Sequence, residues 1–202
     1  MALTIHIAAE DRLGIATLER IIRSEVKNCE VQRVLPTARL AGNQPLRKRV
    51  PNFRGAALAG QYFVVLTDLD NGACPSELLE LWNVLPLPAN LLFRIAVREI
   101  EAWLLSDRHN ISKLLGIKPA LVDPYPEQLI DPKAELLNLA RKGNAKIRRQ
   151  LLPERGALGK IGPSYNDVLS AFVHTNWDYR SASRNAPSLH RFLYRLSNFI
   201  PI

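Results

Sequence analysis

Apolar and polar positions follow two rhythms along the first half of the chain. Leu3 to Ala9 is a short apolar run with β-branched Thr4, Ile5 and Ile7, which predicts a strand. Ile15, Leu18, Ile21, Ile22 and Val26 then recur at helical spacing, with Glu19, Arg20 and Arg23 on the other side. Val31 to Leu35 predicts a second strand, stopped by Pro36. Gln61 to Thr67 is the clearest strand, and its unbroken apolar run predicts burial on both faces, as in a parallel sheet. Pro75 opens a helix through Leu78, Leu79, Leu81 and Trp82. Leu91 to Val97 predicts a fourth strand that runs into a helical segment, 99–105. Alternation of this kind implies a parallel sheet with right-handed crossovers.

After Asp107 helices dominate. Asp131-Pro132 places an N-cap before a proline at the first helical position and opens Lys133 to Lys142. Asn166 to Val173 and Ser188 to Leu196 are two more amphipathic helices. The expected fold is therefore α/β: a mostly parallel sheet flanked by helices over 1–108, with a helical C-terminal extension over 109–202 packed on it as a single structural unit. Between Pro36 and Gly60 the chain shows little periodicity, with Gly42, Pro45, Pro51 and Gly55 as breakers, and reads as a long loop.

Composition narrows the class. The 202 residues are 47% hydrophobic and 23% charged, which excludes global disorder. Cys29 and Cys74 are too few for a disulfide framework or a four-cysteine zinc site, and His6, His109, His174 and His190 have no zinc-type spacing with them. The N-terminus carries no basic leader or cleavage signature. The longest uncharged runs are shorter than the ~20 residues that span a bilayer. A soluble, cytoplasmic protein without membrane contact is expected.

The chemistry sits in acids at strand ends. Glu10 follows the first strand, Asp68 and Asp70 the third, Glu99 and Glu101 the fourth. Ligand sites of open parallel sheets lie beyond the carboxyl ends of the strands, so these acids should converge. Carboxylates brought together repel unless a cation sits between them, and hard oxygens select Mg²⁺ or Mn²⁺. If the strand persists, Asp68 and Asp70 point to one face. The plainer readings are a solvated turn at Asp68–Gly72 and, for Glu10, an acid favoured by a helix N-terminus. Glu99 and Glu101 diverge by ~200° on a regular helix, so one should face the site, with Glu99 favoured, while the other pairs with a basic side chain.

This order of strand, Glu, helix, strand, Asp-x-Asp, helix resembles the TOPRIM fold of topoisomerases, primases and overcoming-lysogenization-defect nucleases. Phe-Arg-Ile-Ala-Val-Arg-Glu-Ile-Glu-Ala-Trp-Leu-Leu-Ser-Asp (93–107) is similar to a Glu-Phe-Glu-Ala-Leu-Leu-Phe type block of a TOPRIM-like, ATPase-associated bacterial family. Pro126-Glu127-Gln128 with Asp131-Pro132-Lys133, and Ala186-Pro187-Ser188-Leu189, resemble later blocks of it. The resemblance implies Glu10 as acid-base glutamate, Asp68 and Asp70 as metal-binding aspartates, and an ATPase partner in phage defence. It also makes Lys133 a candidate for offsetting transition-state charge, since some TOPRIM nucleases use a lysine. One departure stands out: Asp11 replaces the family's Gly, and Gly14 stands where a further acid would fall.

Charge then selects the substrate. The chain carries a net +8 with pI near 9.8. The segment from Val31 to Thr67 has no acid but holds Arg33, Arg39, Arg47, Lys48, Arg49 and Arg54, and no acid follows Asp178. Basic surface around a carboxylate cluster fits metal-dependent phosphodiester hydrolysis on nucleic acid, DNA above RNA, with Arg39, Arg47, Lys48, Arg49 and Arg54 holding the strand. Two alternatives stay open: a haloacid-dehalogenase-like phosphatase with Asp68 as nucleophile and Asp70 as acid-base, and a TOPRIM-like module that binds nucleic acid or a partner without cutting.

Overall fold

A computed structural model of the chain describes residues 2–36, 41–70, 72, 74–154, 156 and 158–199. Four parallel strands, β1 (Leu3–Ala9), β2 (Cys29–Leu35), β3 (Tyr62–Asp68) and β4 (Leu91–Ala96), form one sheet in the order β2-β1-β3-β4. Strand positions therefore agree with the apolar pattern to within two residues. The chain moves from β1 to β2 on one side and then returns to place β3 on the other. The strand order thus reverses between β1 and β3, which is the switch point where α/β sheets open a crevice.

Alternating side chains feed two cores. Ile5, Ile7, Val64, Leu66, Leu92 and Ala96 face one layer. Helix α1 (Arg12–Glu25) covers them together with helices of the C-terminal half: α4 (Ile100–Ser106), α8 (Tyr165–Thr175) and α10 (Pro187–Ser197). Trp103, Trp177 and Phe192 are fully buried there, so the tryptophans serve packing. This apolar cluster is continuous from Ile5 to Leu196, and the α/β part and the helical extension share it. Ala8, Phe63, Val65, Phe93 and Ile95 face the opposite layer, made by α2 (Asn43–Leu58) and α3 (Pro75–Leu81) with Trp82. Both faces of β3 are buried, as its unbroken apolar run requires.

Helix α2 corrects the reading of 36–60 as a loop. Leu46, Val50, Phe53 and Ala57 are spaced four, three and four apart and are buried against the sheet. Pro45 lies in the first turn, where its missing N–H is not needed. Pro51 is inside the helix, but on its exposed side. The remaining helices are α5 (Arg108–Leu115), α6 (Pro132–Lys142), α7 (Ala145–Leu151) and α9 (Tyr179–Ala182). Asp131 caps α6 by accepting from Ala134 N at 2.7 Å, as its Asp-Pro start predicts. No helix among the described residues is long and apolar enough to cross a membrane.

Candidate carboxylate site at the carboxyl edge of the sheet

Glu10 leaves β1 at the switch point and reaches across to β3. Its Oε1 accepts from Thr67 Oγ1 and from Asp68 N, the latter at 3.0 Å. Asp68 ends β3, and its Oδ1 accepts from Ile100 N at 3.0 Å, the first amide of α4. One carboxylate therefore grips the strand that carries the next, and that one grips the helix that carries Glu101. Glu10 Oε2 and Asp68 Oδ2 accept no hydrogen bond from any described residue.

Lys133, in the first turn of α6, supplies a cation. Its Nζ lies 3.4 Å from Glu101 Oε1 and 3.7 Å from Glu99 Oε1, and its backbone N donates to Glu99 Oε2 at 2.9 Å. Glu101 is 2% exposed and also accepts from Tyr165 Oη at 2.8 Å. The division of labour expected between Glu99 and Glu101 is thus corrected, because both reach the same ammonium. The helical divergence does not apply, since Glu99 is the N-cap residue with extended backbone (φ −141°, ψ 160°). Glu101 is the acid nearer to Asp68 in effect, heading the charges that act on it.

Electrostatics follow from this crowding. Burial pushes the Asp68 carboxyl well above its ordinary value, and Glu101, Glu10 and Asp11 push it further against the pull of Lys133. Burial also raises Glu10, opposed by its bonds to Thr67 and Asp68. Burial and then Glu101 raise Glu99. Lys133 shows the complement: burial disfavours its charge, but Glu101, Glu99 and Asp68 more than reverse this and hold its proton above the usual lysine range. Tyr165 is raised by burial and by Glu101 beside it, so it stays a neutral donor.

Asp70 departs from the strand-based expectation. The strand ends at Asp68, and Asp70 is exposed with φ +49°, its N donating to Arg98 O at 2.9 Å. It stands at the rim between two hollows. One, of about 270 Å³, is lined by Asp70, Glu99, Asp131, Lys133 and Lys160; the other, of about 530 Å³, by Asn43, Asp68, Asp70, Cys74 and Glu77. Among the described residues, no group of three or more His, Cys, Asp or Glu side chains is arranged to hold a metal ion. The donors fit Mg²⁺ or Mn²⁺ in kind, being hard oxygens with Glu10 Oε2 and Asp68 Oδ2 uncommitted.

Gly14 accounts for the missing second acid. A Cβ there would stand 2.7 Å from Ala9 Cβ and 3.3 Å from Ile100 Cδ1, so no side chain fits without shifting β1 or α4. Asp11 instead caps α1 through Gly14 N at 2.8 Å.

The basic residues are distributed unevenly. Lys48 and Arg49 are exposed on α2, while Arg47 donates to Leu81 O and Arg54 to Asn83 O at 3.4 Å. Arg39 lies outside the described residues. His6 stacks on Phe63 with centroids 4.8 Å apart, away from the acids. Tyr165 is the functional side chain that sequence reasoning missed. It meets Glu101 across 64 residues, and nothing in its local pattern signals the contact. No protein-family model matches the chain, and no match was found to it among curated proteins or solved structures.

Proposed function

We propose that the protein is a divalent-metal-dependent nuclease, with Glu10, Asp68 and Asp70 holding Mg²⁺ or Mn²⁺ at the switch point. The observation that carries this reading is the bond from Asp68 N to Glu10 Oε1, which joins acids 58 residues apart at one crevice. Such a cation supplies an activated water and stabilises charge on phosphorus. Glu10, whose burial raises its proton affinity, is suited to take a proton from the attacking water. Lys133, anchored by Glu99 and Glu101, offers fixed positive charge to a phosphate oxygen at the same edge. Exposed Lys48 and Arg49 provide sequence-independent attraction for the strand. A partner ATPase, implied by the TOPRIM-like resemblance, belongs to the same proposal.

Plasmid and single-stranded DNA incubated with purified protein and Mg²⁺ or Mn²⁺ test the reading, with Asp68→Ala as control. Cleavage is expected for the native chain and a loss of at least about a hundredfold for the variant, as for removal of a group that stabilises the transition state. Cleavage unchanged by Asp68→Ala overturns the assignment. A second reading, a non-cutting module, is favoured by one observation: Lys133 already neutralises Glu99 and Glu101 from within. It predicts nucleic-acid binding with no metal-dependent cleavage. Hydrolysis of a small phosphomonoester without DNA cleavage selects the phosphatase reading.

A further inference from the structure

A second concentration of charge lies on the outer strand, away from the acids. Helix α10 runs antiparallel to β4 along the sheet. At one end Val97 N donates to Ser188 Oγ at 3.3 Å; at the other, Leu91, Leu92, Arg195 and Phe199 line a hollow of about 640 Å³. On β4, Leu92 and Ala96 face the α10 layer, so Arg94 between them points the same way. Arg191 and Arg195 are one turn apart on α10 and therefore share a face with each other.

None of these three guanidiniums has an acid within 4 Å among the described residues. Glu127 is close enough to feel Arg191, but its oxygens lie beyond 4 Å from all three guanidiniums and accept instead from Ser188, from its N at 3.0 and 3.1 Å and from its Oγ at 2.6 Å. Arg94 Nε is buried with no hydrogen-bond partner among the described residues. A buried donor left unmade is costly, and a half-buried cation beside two others costs more. Burial, and then Arg195 and Arg191, depress the proton affinity of Arg94.

We infer that Arg94, Arg191 and Arg195 form a phosphate-binding site on the outer edge of the sheet, in which a phosphate oxyanion supplies the negative charge the fold leaves out. Guanidinium forks match phosphate geometry, and Arg94 Nε is the donor that such a ligand satisfies. The site stands independently of the carboxylate edge. If the phosphate belongs to a nucleic-acid strand, that strand runs on to Arg98, two residues past the end of β4, whose Nη1 donates to Asp70 O at 3.4 Å.

Two probes separate the sources of phosphate, both in EDTA so that cleavage plays no part. A labelled single-stranded oligonucleotide is titrated by fluorescence anisotropy across a salt series, and inorganic phosphate is added in thermal melts against chloride at matched ionic strength. The double variant Arg191→Gln/Arg195→Gln is compared with Lys113→Gln/Lys118→Gln, which removes the same charge from exposed positions elsewhere. For a strand, the arginine pair should lower the logarithmic salt slope by ~1.4 and the affinity roughly tenfold, with the lysine pair near native. For a free phosphate, stabilisation by inorganic phosphate should vanish in Arg94→Met, whose own melting temperature in chloride should match or exceed that of the native chain. A response in either arm supports the site and names its source. Equal losses in both double variants, or phosphate stabilisation that survives Arg94→Met with no change in oligonucleotide binding, overturns it.

Discussion

Arg94 stands five residues before Glu99 and seven before Glu101, each at the heart of a cluster of like charge, and the fold treats the two clusters in opposite ways. At the carboxyl edge, Glu99 and Glu101 are folded around Lys133, and Glu10, Asp68, Glu99 and Glu101 each have at least one hydrogen bond from a neighbouring segment. On the outer edge, Arg94 faces Arg191 and Arg195 with its Nε unpartnered among the described residues. A crowd of charge is tolerable when a countercharge and donors are built in, and it marks a need for an external ion when they are not. The acid edge sits between these limits. Its inner pair, Glu99 and Glu101, is compensated internally, whereas the outer pair, Glu10 and Asp68, keeps free oxygens.

The largest test of this contrast is Lys133→Met. Removing the ammonium leaves Glu101 buried without its cation, a change that costs 3–5 kcal/mol in a dry interior. The lysine side chain is 37% exposed, which lowers the expectation to about 2–3 kcal/mol in urea unfolding. The companion double variant Lys133→Met/Glu101→Leu should recover most of the loss, because removing both partners of a buried pair is often nearly neutral. If the single variant costs nothing, the ammonium is a bystander and the two edges do not differ.

Next in size is Tyr165→Phe. The phenol is buried and donates 2.8 Å to Glu101, so deletion takes one of the carboxylate's partners without making a cavity. A loss of about 1.5 kcal/mol is expected for a hydrogen bond to a charged acceptor. Calorimetric melting of the two proteins at one pH measures it. A neutral result would mean that Lys133 alone carries the compensation.

How much of this was readable beforehand differs between the two layers of helices. Strands β1, β3 and β4 declare themselves as short, largely apolar runs, and β2 by Val31, Val34 and Leu35 ahead of Pro36. The convergence of Glu10 and Asp68 follows from where those runs end. Helix α2 hides its stripe of Leu46, Val50, Phe53 and Ala57 behind Pro45, Pro51 and Gly55, residues that break helices in isolation but are tolerated here by position. Asp70 escapes a strand-based reading because a left-handed residue turns the chain after β3. The joint use of Glu99 and Glu101 escapes a helix-based one because the first of them is not yet helical. Lys133 was readable as a candidate by resemblance, but its hold on two acids, like the Tyr165 bond, is tertiary and has no local trace.

A third, smaller test probes the buried acids by pH. Burial raises Glu10, Asp68 and Glu99 above their ordinary values, so the folded chain binds protons more tightly than the unfolded one. Their contribution to stability is present below about pH 4, the ordinary carboxylate range, and is lost as pH rises through the raised values. Lys133, raised as well, loses its contribution only as pH climbs through its own elevated value, above the lysine range and outside this window. Asp68→Asn cannot titrate. Its stability relative to the native chain should therefore grow in EDTA as pH rises above the ordinary carboxylate range. Added Mg²⁺ should narrow that gap by binding the native carboxylates alone. A gap that stays constant with pH shows that Asp68 is not held under strain of charge.

The smallest effect is expected where basic residues are already solvated. Lys48 and Arg49 are exposed on α2, whereas Arg47 and Arg54 of the same helix spend donors on Leu81 O and Asn83 O. Solvated cations lose little by binding a phosphate and lose little without one, so they should contribute attraction without a site. Lys48→Gln/Arg49→Gln should leave unfolding within about 0.5 kcal/mol of native, the usual range for surface changes. It should lower the salt slope of oligonucleotide binding by at most ~1.4, with a smaller affinity loss than the same number of charges removed at Arg191 and Arg195. The argument turns on that inequality. Arg191 and Arg195 are exposed too, but they stand beside half-buried Arg94, whose unpartnered Nε is a demand that a ligand relieves, while Lys48 and Arg49 trade one shell of water and counterions for another. If the α2 pair proves the costlier to remove, nucleic acid is gripped at the α2 layer, and the arginines beside β4 answer to some other anion.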